Sequence, residues 1–419
     1  MTPLGNGPNV LMKRTIEQLW RHRYFIRALL STLFFLLTIA VIDFVAFFIL
    51  DIKPPGYRHE RFIEFDSLLG WFHKPRAEGY SYKYHDFSKW YVRINRHGFA
   101  DSERKIEKER HRIALIGDST TECWEAEQED RPQYLLEEFS NGKYEVLNLG
   151  VRGYGTDQTF LQFKNIGVYY APDIVIYTFC INDIWNNASS DRKPYFKLND
   201  SAPHGLELSG YPIERNAAKD PGIIHRFTEY SLINRMTVPR ISHTVERVLA
   251  KTGIIKRTQP SLESHFELRP YKAAYDTEEQ KRIEVTTRII SLLNNFVEER
   301  GMKLLVVEGL YRHVLDEKRR QNIIQKYGDK FDFDKVSRIL DEHTRENGIA
   351  FLSLPRRLKE EQISVADLMH PEDSTHLNVD GIHFYARTVM DKLQSLGWIA
   401  GGLPLKETKA PSGDKQSKE

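Results

Sequence analysis

The run Ile113-Ala114-Leu115-Ile116-Gly117-Asp118-Ser119-Thr120 decides how this chain is read. Four apolar residues read as a buried strand, and they end in Gly-Asp-Ser before a helical stretch. A serine at such a strand-to-helix turn lies at the C-terminal edge of a parallel sheet. There the following helix offers free N–H groups and the positive end of its dipole. That setting suits a nucleophilic hydroxyl and the oxyanion that its attack produces. Gly-Asp-Ser is also an ordinary turn, so its meaning depends on what accompanies it.

Outward from this run, short β-branched or leucine-rich segments recur at Ile113–Ile116, Val146–Leu149, Ile174–Phe179, Leu304–Val307 and Ile349–Leu352. Helical stretches lie between them. The clearest covers about Thr277–Arg300, with Ile283, Ile290, Leu293 and Val297 at helical spacing and Gly301 as its stop. Strands alternating with helices predict an α/β domain, a parallel sheet covered on both faces. Residues 186–276 break the rhythm with Pro194, Pro203, Pro212, Pro221 and Pro239, and carry weak helical signals near Ile223–Ile233 and Ser242–Leu249. An insertion at the sheet's C-terminal edge reads as a cap or substrate-shaping element, with a surface embellishment as the alternative.

Upstream, Ala28 to Leu50 holds a single charge, Asp43, and is long enough to span a bilayer. Lys13, Arg14, Arg21, Arg23 and Arg27 precede it, while Lys53, Arg58 and Arg61 follow among several acids. This asymmetry predicts a cytoplasmic N-terminus (residues 1–27) and export of everything beyond the span to the periplasm or cell exterior, and Asp51-Ile52-Lys53-Pro54-Pro55 in place of a small-residue cleavage site predicts an uncleaved anchor (28–50). A carboxylate at the Asp43 position is costly unless it snorkels, protonates or meets a partner helix. Residues 51–111 read as the linker Pro54-Pro55-Gly56 and an aromatic-rich β extension, in which Gly79–Tyr84 and Lys89–Ile94 alternate as a hairpin would. Residues 399–419 read as a disordered tail, Lys/Ser/Glu-rich from Lys406. A net charge of +2 with no basic aromatic stripe argues against nucleic acid. Two cysteines, Cys123 and Cys180, exclude a disulfide framework and a thiolate zinc cluster.

Three further blocks follow the first in order. Asn148-Leu149-Gly150-Val151-Arg152-Gly153-Tyr154-Gly155 comes directly after the second predicted strand. Its glycines mark a tight loop where backbone approaches a neighbour closely. It has neither the spacing of a dinucleotide fingerprint nor the Lys-Ser or Lys-Thr of a phosphate loop. Phe179-Cys180-Ile181-Asn182-Asp183 closes the third strand, where a side-chain amide can donate into an oxyanion site, although Asn-Asp is equally a turn. Asp373-Ser374-Thr375-His376-Leu377-Asn378-Val379-Asp380-Gly381 opens the last helix. Its Asp and His can share one loop, the imidazole as general base and the carboxylate fixing its tautomer. A second Asp-x-x-His register, Asp380 with His383, overlaps it.

In this order the four blocks resemble the SGNH, or GDSL-type, hydrolase family over about residues 112–398. The resemblance implies a flavodoxin-like three-layer α/β/α domain with a five-stranded parallel sheet. It implies Ser119 as nucleophile, His376 as base and Asp373 as orienting acid. The oxyanion donors would be the Ser119 and Gly153 backbone N–H groups and the Asn182 side chain, with no metal and no cofactor. His-Leu-Asn-x-x-Gly matches the family in the Asp373–His376 register, which leaves His383 inside the helix. Where the family has glycine two residues before the third-block asparagine, this chain has Cys180. The single span and the upstream extension are similar to those of membrane-anchored bacterial members.

The activity so implied is hydrolysis of O-acyl esters, above all O-acetyl groups on envelope or extracellular glycans. Alternatives are acyl transfer to a glycan hydroxyl by the same triad, and a lipid-directed esterase. From other classes come a non-catalytic envelope-binding module and a metal site at His370, Asp373, His376, Asp380 and His383, whose spacing fits no standard zinc motif. Cys123 and Cys180 are expected near each other and near Ser119, as two buried thiols or, in an exported domain, as a disulfide.

Overall fold

The computed structural model describes residues 8–49, 62–82, 89–187, 193–214, 231, 266–328, 330–371 and 373–399. Contacts divide the chain into two units. One comprises Met1–Tyr57, Tyr84–Phe87 and Ala218–Arg257, the other Arg58–Lys83, Ser88–Ala217 and Thr258–Glu419. The linker Pro54–Gly56, the helical signals of the insertion and the tail from Lys406 lie outside the described residues, Ser231 excepted.

The first unit is built on helix α1 (Pro8–Phe44), which runs into a π-helical turn at Val45–Ile49. Within it Arg23–Ile49 has a mean hydropathy of 2.6 over its most apolar stretch, long and apolar enough to cross a membrane. Its Leu29, Leu33, Phe34 and Leu37 side chains are exposed, as a helix facing lipid requires. Asp43 is an exception, with 4% of its surface exposed. The Ser231 hydroxyl, from the insertion, donates a hydrogen bond to its carboxylate. The costly charge thus finds a polar donor from within the chain.

In the second unit the strands are β1 (Ile63–Asp66), β2 (Gly70–His73), β3 (Glu78–Tyr82), β4 (Lys89–Arg93), β5 (His111–Gly117), β6 (Tyr144–Asn148), β7 (Ile174–Phe179), β8 (Tyr195–Leu198), β9 (Leu206–Ser209), β10 (Lys303–Glu308) and β11 (Ala350–Ser353). The helices used below are α2 (Ser119–Glu122), α3 (Pro132–Phe139), α4 (Thr156–Asn165), α5 (Asn182–Asn186), α6 (Thr277–Glu298), α7 (Lys335–Glu346), α8 (Leu354–Glu360) and α9 (Val379–Ser395).

Five strands form one parallel sheet in the order β11-β10-β7-β5-β6. This is the flavodoxin-like order, with its switch point between β5 and β7. The predicted strand segments fall on these five strands, within a residue or two at each end. Alternation along the strands splits the core in two. Ala114, Ile116, Leu147, Val175 and Val306 pack on one face with Phe160 of α4, Ile289 and Leu293 of α6, and Leu340 of α7. Ile113, Leu115, Val146, Ile176 and Val307 face Leu136 of α3, Leu358 of α8 and Val389 of α9. The domain is therefore three layers, α/β/α. Helix α6 starts at a capping box, where Asp276 accepts the Glu279 N–H at 2.9 Å and Glu279 returns to the Asp276 N–H at 3.2 Å.

The β extension has two antiparallel hairpins, β1–β2 and β3–β4. The second is the one read from the alternation; the first is additional. Phe62, Val92, Ile94 and Ala100 of this segment pack on Trp124, just beyond α2. The described part of the insertion contains a third hairpin, β8–β9. Cys123 and Cys180 are both buried and both free thiols. The thiol alternative holds and the disulfide is set aside: Cys123 is the left-handed C-cap of α2, packed with Leu135 and Leu136.

Candidate active site

Ser119 follows β5 and begins α2, and Asn182 follows β7 and begins α5, so both stand at the sheet's switch point. Asp118 joins them. Its carboxylate caps α2 by accepting the Thr120 N–H at 2.9 Å, and its other oxygen accepts the Asn182 side-chain amide at 3.0 Å. The Asn182 Nδ2 keeps a second hydrogen for another acceptor. Asp183, next in sequence, is turned inward. It is buried, accepts the Tyr177 hydroxyl at 2.5 Å and the Cys180 N–H at 3.2 Å, and burial pushes its carboxyl well above the usual range.

Asn148 ties the glycine loop to the serine turn. Its amide donates to the Thr121 carbonyl at 2.7 Å, and its Oδ1 accepts the Gly150 N–H at 3.0 Å. Gly150 lies so close to α2 that a Cβ would stand 2.5 Å from the Glu122 nitrogen. Gly153 has φ +79°, in the left-handed region, and is exposed. Among the described residues neither the Gly153 N–H nor the Ser119 N–H donates to an acceptor.

The fourth block closes the arrangement. Asp373 Oδ1 accepts the Thr375 and His376 N–H groups at 2.9 and 3.0 Å. Its Oδ2 lies 2.8 Å from His376 Nδ1, and His376 Nε2 lies 2.9 Å from Ser119 Oγ. The loop is held from outside by Arg312, whose side chain donates to the His370 and Pro371 carbonyls at 3.0 and 2.6 Å. Asn378 caps α9 by accepting the Gly381 N–H at 2.9 Å. His383 of the competing register instead packs its ring 6.4 Å from that of Phe139. Among the described residues no group of three or more His, Cys, Asp or Glu is arranged to hold a metal ion.

Charge around His376 is unbalanced toward acid. Burial alone would lower its pKa, but the Glu125 charge and the Asp373 hydrogen bond outweigh burial and push it up to about 9. Burial would raise Asp373 in turn, yet the bond and charge from His376 hold it well below the usual carboxylate range. Glu125 is also held down, against burial, by His376 and Arg152.

Glu125 carries no motif, and neither do Glu122, Trp71 and His73, which surround Arg152 of the glycine loop. Arg152 Nε donates to Glu122 at 2.6 Å, its Nη2 reaches Glu125 at 3.3 Å, and its guanidinium lies 4.0 Å from the centre of the Trp124 ring. A cation between two loop glycines, and two glutamates three and six residues beyond the serine, are the available signals, but nothing in their spacing couples them.

No protein-family model matches the chain, and no curated protein matches it in sequence. Among solved structures it is similar to an acetylxylan esterase from Geobacillus stearothermophilus at 12% identity, covering 69% of this chain and 96% of that one, TM-score 0.36. It is similar to a GDSL-like lipase from Parabacteroides merdae at 11%, covering 70% and 99%, TM-score 0.36. A lipase/acylhydrolase from Enterococcus faecalis matches at 10%, covering 68% and 96%, TM-score 0.37.

Proposed function

We propose that this chain is a membrane-anchored serine esterase of the SGNH type. The observation that carries the reading is the relay Asp373–His376–Ser119, with contacts of 2.8 and 2.9 Å, beside two unengaged backbone N–H groups. His376 Nε2 takes the Ser119 proton as Oγ attacks the ester carbonyl. The Ser119 and Gly153 N–H groups and the Asn182 amide receive the developing oxyanion. Asp373 holds the imidazole in the tautomer that accepts at Nε2 and stabilises its cation. His376 then protonates the departing alcohol, and water clears the acyl-enzyme by the same steps in reverse.

The substrate in this reading is a short acyl ester, above all O-acetyl, on an envelope or extracellular glycan. The surroundings of His376 support it. They are polar, with Glu125, Arg152 and His370, and the half-buried Trp90 ring stands 5.7 Å from His370. The basic flank before residue 28 supports export of the catalytic unit. The test is acetate release from an O-acetylated glycan by the full-length protein in detergent. Ser119→Ala and His376→Ala are expected to abolish release and His383→Ala to retain most of it. Acetate recovered mainly on an added glycan acceptor would mark transfer instead, and unchanged release by Ser119→Ala would overturn the reading.

A further inference from the structure

The peptide that presents the Gly153 N–H is gripped from the β extension. Trp71 Nε1, on β2, donates to the Arg152 carbonyl at 3.1 Å. In a trans peptide the carbonyl of one residue and the N–H of the next point in opposite directions within one plane. Fixing the Arg152 carbonyl therefore fixes where the Gly153 N–H points. Donation to the carbonyl also polarises the peptide, which strengthens its N–H as a donor.

The other end of Arg152 is held as firmly. Its backbone N–H donates to Glu122 Oε1 at 3.2 Å, and its Nε to Glu122 Oε2 at 2.6 Å. Glu122 is fully buried and is met by a second residue of β2. His73 Nε2 lies 2.6 Å from Glu122 Oε1, and His73 Nδ1 lies 3.0 Å from the Gly98 carbonyl. Trp71 itself is seated by the Tyr154 hydroxyl, which donates to its carbonyl at 2.6 Å, with the two rings 5.6 Å apart. A Cβ at Gly153 would stand 3.4 Å from the Trp71 ring, so the indole also borders the donor directly.

We infer that the aromatic extension is part of the oxyanion machinery, with Trp71 as a positioning residue that aims the Arg152–Gly153 peptide and the His73–Glu122 pair as its second anchor. The inference rests on the esterase reading and adds a device to it: a catalytic donor oriented by an indole from a separate hairpin. The extension then does more than cover the core, and a catalytic unit starting at residue 112 lacks part of its own site.

The test uses the full-length protein in detergent, with p-nitrophenyl acetate as substrate and phenylboronic acid as a probe of the tetrahedral state. For the variants that keep Ser119, rates are expressed per site titrated by a fluorophosphonate, so that partial unfolding does not count as slow chemistry; for Ser119→Ala they are expressed per folded chain. Trp71→Phe keeps an aromatic ring on β2, smaller than the indole, and removes the N–H. Its kcat is expected to fall roughly 5- to 10-fold, the weight of one hydrogen bond, with KM within about twofold. Boronate affinity should fall by a similar factor. Glu122→Gln serves as the second variant and should show the same split. If Ser119→Ala is inactive while Trp71→Phe keeps wild-type kcat and boronate affinity per titrated site, the tether is wrong and the esterase reading stands. If Ser119→Ala still turns over, both fall together.

Discussion

His376 stands between two carboxylates with different tasks. Asp373 bonds to the ring and sets its tautomer, while Glu125 acts on it through charge. A histidine held near pH 9 keeps its proton through neutral pH, so its basic form, and kcat/KM with it, should grow as pH rises through that range. The Glu125 charge favours the imidazolium. Its removal in Glu125→Gln should lower the His376 pKa and move the acidic limb of the kcat/KM profile to lower pH. A limb that stays in place or moves up would show that Glu125 does not act on the base. Asn182→Ala tests the proposed role of that side chain as third oxyanion donor. Turnover should fall about 10²- to 10³-fold with little change in KM, and a loss under about threefold would reduce Asn182 to a turn residue held by Asp118.

The strands and loops differ in how far they can be read from sequence. Strands β5, β6, β7 and β10 are mostly buried on both faces and the edge strand β11 is half-buried, so all five appear as short apolar runs with turn signals at their ends. The β1–β2 hairpin leaves no such trace. Ile63–Asp66 alternates apolar and acidic residues over only four positions, too short a run to stand out, and its turn contains Leu68 and Leu69. What makes the turn is Asp66, whose Oδ1 accepts the Leu68 and Leu69 N–H groups at 2.8 and 2.7 Å. The site divides in the same way. Asp373 and His376 lie within one loop and Gly-Asp-Ser within one turn, and local spacing reveals them. Trp71, His73, Glu122, Glu125 and Arg152 come from three separate segments and meet only in the folded domain. For the glycine loop, packing against α2 decides. Gly150→Ala pushes a Cβ onto backbone at 2.5 Å, and the resulting overpacking should cost about 1–3 kcal/mol, seen as a lower Tm along with reduced kcat. Wild-type stability for this variant would mean that the loop is free to move away from the helix.

For the whole molecule, the N-terminal apolar helix is long enough to cross a membrane, and the proposed topology sets it as an anchor with the catalytic unit exported. The basic residues before residue 28 favour a cytoplasmic N-terminus, and Asp43 is answered by Ser231. Protease added to spheroplasts should then degrade the catalytic unit while leaving the N-terminal segment protected, and full protection would reverse the topology. The central claim, that Ser119 is a nucleophile activated by His376, is independent of compartment and of substrate. It is tested most directly by reacting the full-length protein with a fluorophosphonate and mapping the modified peptide by mass spectrometry. The account predicts one phosphonyl group per chain, on Ser119, absent in Ser119→Ala and strongly slowed in His376→Ala. Labelling that persists in Ser119→Ala, or no labelling of the folded wild-type protein, would contradict it.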